Sequence, residues 1–323
     1  MDDRGSILLE TVGLKKHFPV PQGSLHAVDG VDLKIHRGST LGIVGESGCG
    51  KTTLGRTILG LLPPTGGQVF FEGRDITRSD SRQFKALRRH MQIIFQDPYS
   101  SINPRHSVMK TIAECLLVNG IVRDRQQREK RVLELMEIVG LAQRFETSYP
   151  HELDGGRRQR VGIARALALE PKFIVCDEPV SALDVSIQAQ VLNLLMDLQR
   201  DLGLTYMFIT HDLSVVRHIS TEIAVMYLGQ CVERAPSKQL FKSPMHPYTR
   251  ALISAIPIAS AKAREQQTEM IQGELTSPID PKPGCRFVSR CPSARTECGR
   301  QDIPLLDMGG GHFVACTLYM NCK

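Results

Sequence analysis

The sequence predicts an α/β fold with a mostly parallel sheet, an inserted helical subdomain and a small cysteine-containing C-terminal extension. Short apolar runs rich in β-branched residues, typical of buried strands, occur at residues 41–45, 173–176, 206–209 and 223–228. Helical segments separate several of these runs. Because strands that alternate with helices of this length form parallel sheets, the pattern indicates the α/β class.

Two predicted helices have clear ends. The first follows the run LGIVG and covers residues 51–62, where Pro63 and Pro64 stop it. The second follows the run at 173–176, and Gly203 closes it. Its apolar residues lie largely on one face, and they are Ile187, Val191, Leu194, Leu195, Leu198 and Leu202.

The middle and the end of the chain have different patterns. Residues 107–145 show helical periodicity without a convincing strand, which predicts a helical subdomain over about residues 98–165. After about residue 258, charged and Gln-rich sequence leads to four cysteines within 32 residues. This part has too few apolar groups for its own core, so we expect it to need a staple or the support of the main domain. We therefore predict a main domain over 7–258 and an extension over 259–323.

The composition excludes several classes of protein. Hydrophobic residues make up 41% and charged residues 23% of the 323 positions, which rules out wholesale disorder. Aromatic residues make up 5%, with no Trp, which argues against a nucleic-acid binder that stacks bases on exposed rings. No apolar stretch approaches the roughly 18 residues of a membrane span, and the N-terminus lacks a secretory signal, so we expect a soluble cytosolic chain. The net charge of +6 is ordinary surface variation.

A phosphate-binding loop is the most specific motif. Residues 45–53 fit G-x-x-x-x-G-K-S/T, directly after a buried strand and at the start of a helix. In such a loop, backbone N–H groups bind the β- and γ-phosphates of a nucleotide, Lys51 reaches the terminal phosphates and Thr52 ligates Mg²⁺. We interpret Cys49, at a variable position, as a space-filling residue. The predicted nucleotide-binding residues of the loop are Gly45, Glu46, Ser47, Gly48, Cys49, Gly50, Lys51, Thr52 and Thr53.

Two adjacent carboxylates follow a second buried strand. The sequence FIVCDE at 173–178 ends in Asp177 and Glu178. Asp177 is suited to hold the Mg²⁺ shell, and Glu178 to polarise the attacking water. Behind a phosphate loop, this pair indicates nucleotide hydrolysis.

With these motifs the chain resembles the ATP-binding subunit of an ATP-binding cassette (ABC) transporter, a P-loop NTPase. The resemblance implies that Gln96 in IIFQDP senses Mg²⁺, water and the membrane partner, and that His211 in FITHDLS is the catalytic switch histidine. Residues 181–184, SALD, are similar to the dimer-contact motif. Phe18 resembles the aromatic residue that stacks on adenine, with a phenylalanine in the core of the first strands as the alternative.

One motif departs from the family pattern. The family signature is Leu-Ser-Gly-Gly-Gln, whose Ser and backbone amides grip the γ-phosphate bound by the opposite subunit. Here Leu153 is followed by Asp154, Gly155, Gly156 and Arg157. A carboxylate a few ångströms from the γ-phosphate is repelled by roughly 1–4 kcal/mol, which Arg157 partly offsets. We therefore expect the partner's ATP, facing Asp154, to be hydrolysed slowly; the alternative is that Asp154 turns aside or is tolerated.

The tail narrows the resemblance to ATP-binding subunits of oligopeptide and dipeptide permeases. HPYTRALISAIP at 246–257 and the later GELTSPIDPKPGCRF are similar to their shared C-terminal region, and the resemblance covers about residues 7–317. It is strongest to the second dipeptide-permease ATPase.

Four cysteines of the tail have the spacing C-x5-C-x6-C-x17-C, a moderate metal signal, and they are Cys285, Cys291, Cys298 and Cys316. Cytosolic cysteines stay reduced, so cysteines that act together are expected to bind a metal or a cluster. The resemblance implies a [4Fe–4S] cluster here, with zinc and free thiols as alternatives. The others are interpreted as packing or terminal residues: Cys115, Cys176, Cys231 and Cys322.

The resemblance implies an ATPase that uses ATP and Mg²⁺ to energise import of dipeptides or short oligopeptides. The implied partners are a second, related ATP-binding subunit, two transmembrane permease subunits and an extracytoplasmic substrate-binding protein, with this chain on the cytoplasmic face of the membrane. The altered signature favours a heterodimer, and no nucleic-acid partner is expected. Alternatives are an importer of nickel complexes, glutathione or opine-like compounds, a soluble ATP switch acting on nucleic acid or ribosomes, and a redox sensor.

Overall fold

The computed structural model describes residues 6–79, 81–256 and 277–320. The polar segment that follows residue 258 and Cys322 lie outside these residues. The strands are β1 (Ile7–Val20), β2 (Gly23–His36), β3 (Thr40–Val44), β4 (Gly66–Phe71), β5 (Arg74–Asp75), β6 (Met91–Ile94), β7 (Phe173–Asp177), β8 (Thr205–Ile209), β9 (Glu222–Tyr227), β10 (Gln230–Pro236), β11 (Leu306–Asp307) and β12 (Phe313–Val314). The α-helices are α1 (Lys51–Ile58), α2 (Ser81–His90), α3 (Pro98–Ser101), α4 (Val108–Val118), α5 (Arg125–Ile138), α6 (Gly155–Leu167), α7 (Val185–Leu202), α8 (Leu213–Ile219), α9 (Ser237–Lys242) and α10 (Pro247–Ser254).

The chain forms two compact units. Among the described residues, one unit contains 36–39 and 78–209, and the other contains 7–35, 40–77 and the residues from 210 onward. The first is called the helical unit below, and the second the loop unit, because it contains the phosphate loop.

The helical unit combines parallel strands with a group of helices. Its strands lie in the order β8-β7-β6, and every residue of β7 and β8 is buried, as expected for parallel strands covered on both faces. Helices α4, α5 and α6 pack against one another around Ile112, Leu116, Val132, Leu135 and Met136. The helices expected within 107–145 are therefore present.

Helix α7 confirms one predicted apolar face with two differences. Val191, Leu195 and Leu198 are buried, and Gly203 closes the helix at φ +65°. Leu192 is buried as well, whereas Leu202 is 52% exposed. The buried stripe ends at Leu198, so the last turn leaves Leu202 in contact with solvent.

The loop unit contains two sheets. One is antiparallel, in the order β2-β1-β4-β5, and β1 pairs with β4 so that Leu9 faces Phe71. The other has the order β11-β12-β10-β9-β3, in which only β3 and β9 are parallel. The sequence predicted β3 and β9 but not the antiparallel strands. The predicted helix over 51–62 ends earlier, at Ile58, because Gly60 adopts φ +63°.

The C-terminal extension packs into the core of the loop unit. Phe287 is 1% exposed, and its ring lies 5.3 Å from the rings of both Tyr227 on β9 and Tyr248 on α10, measured between centroids. Cys285 and Cys291 pack against the same core. Edge-to-face aromatic contacts of this kind add to the free energy of area burial. The tail therefore packs on the main domain, which is one of the two kinds of support that the sequence suggested.

Candidate functional site

The loop between β3 and α1 has a backbone suited to bind an anion. At Gly50, φ is +101° and a Cβ would lie 1.9 Å from the carbonyl oxygen of Ala27, so only glycine fits. Gly50 also precedes α1, whose first N–H groups have no side-chain cap. Lys51 is 5% exposed, and its Nζ donates to the carbonyl oxygens of Gly45 at 2.8 Å and Glu46 at 2.9 Å. The N-terminus of α1 and one buried cation together favour a phosphate group.

The other residues of the loop differ in exposure. Ser47 and Gly48 are exposed, and Thr52 and Thr53 are half-buried. Cys49 is 2% exposed, and burial raises the pKa of its thiol. The interpretation of Cys49 as a space-filling residue therefore fits its environment.

In the helical unit, the predicted carboxylates follow β7 in two different environments. Asp177 is 2% exposed at the end of the strand. Glu178 is half-buried and adopts φ +47°, a left-handed conformation that is strained for a residue with a side chain. Gln96 Nε2 donates to Glu178 Oε2 over 3.0 Å. The sequence predicted roles for Gln96 and Glu178, and the structure brings these two side chains together.

The altered signature begins helix α6, and Asp154 is its N-cap. Asp154 Oδ1 accepts from the Arg157 backbone N–H at 2.8 Å, and its other carboxylate oxygen lies 2.9 Å from Arg157 Nη1. Asp and Ser are similarly good N-cap residues, which explains how aspartate replaces serine without loss of the helix. A Cβ at Gly156 would lie 2.6 Å from Ile187 Cγ2, so that close approach requires glycine.

Two predicted residues belong to the loop unit outside the phosphate loop. Phe18 is half-buried on β1, with Lys16 Nζ 4.8 Å from its ring centroid. His211 is exposed before α8, for which Asp212 is the N-cap, accepting from Ser214 N at 2.7 Å. The loop unit thus carries the phosphate loop, Phe18 and His211, and the helical unit carries Gln96, the signature and the two carboxylates.

Residues 246–248, His-Pro-Tyr, are called the HPY segment below. The structure gives this segment contacts that the sequence did not predict. Tyr248 Oη accepts from the Glu46 backbone N–H over 2.9 Å, so this segment holds the phosphate loop. His246 is the N-cap of α10, and its Nδ1 accepts from Tyr248 N at 3.1 Å. Below them, Glu233 is fully buried and accepts from His246 N at 2.8 Å and from His312 at 2.7 Å. Only the resemblance of HPYTRALISAIP to permease ATPases drew attention to this segment.

The surroundings of the four cysteines of the extension bear on whether they could bind a metal. Their sulfurs each accept a backbone N–H, from Phe287, Ser293, Arg295 and Leu318 in the order of the chain. Burial, together with the charges of the other three thiols, raises the pKa of Cys285 to about 11. A bound cation would favour the charged thiolate form over the thiol, and four sulfurs are a donor set that a metal could use.

The separation of these sulfurs can be compared with that of zinc ligands. Within the described parts of the chain, no three of the cysteine sulfurs lie within 4.8 Å of one another. Zinc, with Zn–S bonds of about 2.3 Å, would bring four sulfurs to about 3.8 Å apart. As placed, the sulfurs are therefore farther apart than zinc ligands would be.

Comparison with known proteins places this site in a family. A family model for ABC transporters matches residues 28–181, and one for the oligopeptide/dipeptide transporter C-terminal region matches residues 232–298. The dipeptide transport ATP-binding protein DppF of Escherichia coli strain K12 is 48% identical over 96% of this chain and 93% of its own length. The oligopeptide transport ATP-binding protein AppF of Bacillus subtilis strain 168 is 47% identical over 97% of both chains. The chain belongs to the ATP-binding subunits of oligopeptide and dipeptide ABC transporters.

Solved structures confirm the ABC ATPase fold. The ATP-binding cassette MJ0796 in a dimeric post-hydrolysis state with ADP and Pi has a TM-score of 0.65 at 29% identity, covering 71% of this chain and 99% of that one. The protein cbiO1 of Clostridium perfringens, part of the transporter complex cbiONQ, has a TM-score of 0.66 at 28% identity, covering 73% of this chain and 91% of that one. As a member of the ABC ATPase family, this chain is an ATPase that works with ATP and Mg²⁺.

The helices were also compared with the requirements of a membrane span. In the parts of this ABC ATPase that the structure describes, every helix is too short or too polar to cross a bilayer.

Proposed function

We propose that this ABC ATPase energises import of dipeptides or short oligopeptides. The observation that carries the proposal is the similarity to dipeptide and oligopeptide transport proteins over nearly the whole chain, including the C-terminal region. That region supplies Tyr248, which holds the phosphate loop, so the peptide-transporter part of the sequence supports the nucleotide site directly. We propose 7–258 as the ATP-binding domain, with its helical subdomain at about 98–165, and 259–323 as the permease-type extension.

The proposed roles of the residues follow from their chemistry. Lys51 and the backbone of residues 45–53 bind the phosphates, and Phe18 stacks on adenine. Bound Mg²⁺ neutralises charge on the phosphates, with Thr52, Gln96 and Asp177 as its proposed ligands. Glu178, oriented by its hydrogen bond from Gln96, takes a proton from the attacking water, and His211 is the proposed γ-phosphate switch. The signature residues Asp154, Gly155 and Gly156 face the nucleotide of a second ATP-binding subunit.

The proposed assembly has several further components. This chain pairs with a related but different ATP-binding subunit, because Asp154 alters one of two composite ATP sites. The pair docks on two transmembrane permease subunits at the cytoplasmic face of the membrane, and an extracytoplasmic binding protein delivers the peptide. The Asp154→Ser variant tests whether the two ATP sites are unequal, through the ATP turnover of the assembled complex.

The thiols of Cys285, Cys291, Cys298 and Cys316 are proposed to hold a [4Fe–4S] cluster. The amide N–H donated to each sulfur and the spacing of the four cysteines in the sequence support this proposal. Its chemical contribution is to staple a segment that is poor in apolar residues. Protein purified without oxygen should contain iron and acid-labile sulfide, and the Cys298→Ser variant should lose both. Stoichiometric zinc without iron would contradict the proposal.

Uptake of labelled peptides tests the transport function. In cells without other peptide permeases, Lys51→Ala should abolish uptake of a labelled dipeptide, because the loop loses its buried cation. The exposed Lys34→Ala, in the same unit, should retain uptake and serves as the matched control. Comparison with a labelled pentapeptide defines the length of the cargo. If both peptides are still taken up by the Lys51→Ala cells, the peptide assignment fails, and nickel complexes, glutathione and opine-like compounds become the next substrates.

A further inference from the structure

One arginine of the cysteine-rich segment contacts the phosphate loop. Arg290 Nη1 lies 2.9 Å from Glu46 Oε2 and 3.3 Å from Tyr227 Oη, and the side chains of Arg290 and Glu46 are 9% and 22% exposed. We propose that Arg290 is a positioning residue for nucleotide binding, which holds Glu46 and makes nucleotide affinity depend on the folded state of the segment between Cys285 and Cys291. This inference rests on the proposed role of the loop in nucleotide binding.

Glu46 connects the phosphate loop to its surroundings, because its backbone N–H, its carbonyl oxygen and its carboxylate each have a hydrogen-bond partner. Its backbone N–H donates to Tyr248 Oη at 2.9 Å, its carbonyl oxygen accepts from Lys51 Nζ at 2.9 Å, and its carboxylate accepts from Arg290. Lys51 is the proposed phosphate-binding cation. A change in the position of Glu46 therefore changes the position of an atom that holds Lys51.

A second arginine supports the other side of the loop. The guanidinium of Arg286 donates to the carbonyl oxygen of Leu228 and to the carboxylate of Asp29. The next residue, Gly229, donates its N–H to the carbonyl oxygen of Cys49 over 2.9 Å. Although burial raises it, the hydrogen bond from His26 and the Arg286 charge lower the pKa of Asp29 to about 2, so this anchor stays ionised. The loop is thus held at both Glu46 and Cys49.

Both arginines belong to one short turn fixed by its neighbours. Arg286 follows Cys285 and Arg290 precedes Cys291, and between them Phe287 is buried in the aromatic core. Backbone bonds close the turn, since Val288 N donates to Cys285 O and Arg290 N to Phe287 O, both at 3.0 Å. A change at Cys291 therefore reaches Arg290 through a single peptide bond.

Titration of the full chain with MgADP by calorimetry tests the proposal. Arg290→Ala should weaken binding about tenfold, which corresponds to about 1.4 kcal/mol. Arg290→Lys keeps the charge and should recover most of this loss. Glu46→Gln should also weaken MgADP binding. Because both substitutions remove the same Arg290–Glu46 contact, the double variant should bind MgADP no more weakly than the single variant with the lower affinity. This non-additivity distinguishes positioning from general loss of structure.

Arg250→Ala is the matched control. Arg250 donates to Tyr319 Oη at 3.0 Å and to Pro244 O at 3.1 Å, so this arginine also holds the extension, but at its end. Its replacement should change MgADP affinity by less than about twofold. If Arg290→Ala unfolds the chain, Arg290→Lys and Glu46→Gln carry the comparison.

Four results would overturn the inference. MgADP affinity of Arg290→Ala equal to that of the wild type would remove the positioning role, and so would additive losses in the double variant. Cys291→Ser should weaken MgADP binding in the wild type and add little in Arg290→Ala; independent effects would contradict the link to the cysteine-rich segment. If the wild type itself does not bind MgADP, the proposed nucleotide-binding function fails together with this inference.

Discussion

Exchange of Glu233 for glutamine replaces the buried carboxylate that accepts the backbone N–H of His246 in the HPY segment. The carboxylate is fully buried, and Oε1 accepts from Met245 N and from His312 Nε2, both at 2.7 Å, while Oε2 accepts from His246 N at 2.8 Å. Glutamine has one acceptor oxygen and one amino group, so at least one N–H donor would face another donor. Hydrogen bonds to a charged group contribute about 1.5–3 kcal/mol each. Loss of one or two should lower the free energy of unfolding by roughly 2–5 kcal/mol.

Urea and thermal unfolding of the full chain, followed by circular dichroism, measure this loss. At roughly 2–4 °C per kcal/mol, the Tm of Glu233→Gln should fall by roughly 5–15 °C. Glu137→Gln, an exposed glutamate on α5, should stay within about 0.5 kcal/mol of the wild type. A Tm for Glu233→Gln within about 2 °C of the wild type would refute the reasoning, because the buried network would then not need a carboxylate.

Three further predictions concern catalysis, the signature and pH. Glu178→Gln should lower ATP turnover by about 10²–10⁴-fold, because the amide accepts no proton, and turnover within tenfold of the wild type would reject Glu178 as the base. Asp154→Ser should preserve the cap of α6 and raise ATP turnover of the assembled complex, whereas Asp154→Ala should cost about 1 kcal/mol of stability; no gain in turnover with serine would reject unequal sites. Burial lowers the pKa of His246 to about 4, so protonation in the unfolded state should remove roughly 3 kcal/mol of stability as the pH falls from about 6.5 to 4. His246→Asn retains a cap without this titration, and an unchanged pH dependence of unfolding would contradict the assignment.

Local patterns in the sequence predicted the elements that are buried and regular. Strands β3, β7, β8 and β9 are continuous apolar runs because parallel strands are covered on both faces. Helix α7 was predicted together with Gly203 at its C-terminus. Both signals, the helical period of its apolar residues and a glycine suited to the left-handed conformation, lie within one short stretch of sequence. The antiparallel strands β1, β2, β4 and β10 mix polar and apolar residues, and their pairing joins distant parts of the chain.

In the candidate site, too, contiguous motifs could be predicted and contacts between distant residues could not. The phosphate loop and the Asp177–Glu178 pair are contiguous motifs, so residue order alone was enough to propose their roles. The contact between Glu46 and Arg290 joins residues 244 positions apart, and no periodicity or motif spacing in the sequence predicts it. Asp154 shows a third case, since the sequence indicated a departure from the family and only the structure gave its partner, the backbone of Arg157.

The left-handed backbone at Glu178 has a consequence for how such a protein changes over generations. A side chain at φ +47° costs of order 1 kcal/mol, which glycine at the same position would not cost. Selection for stability alone would therefore favour glycine at this position, which gives a more stable chain without its proposed general base. The left-handed Glu178 thus gives up about 1 kcal/mol of stability for the proposed role of its carboxylate in turnover.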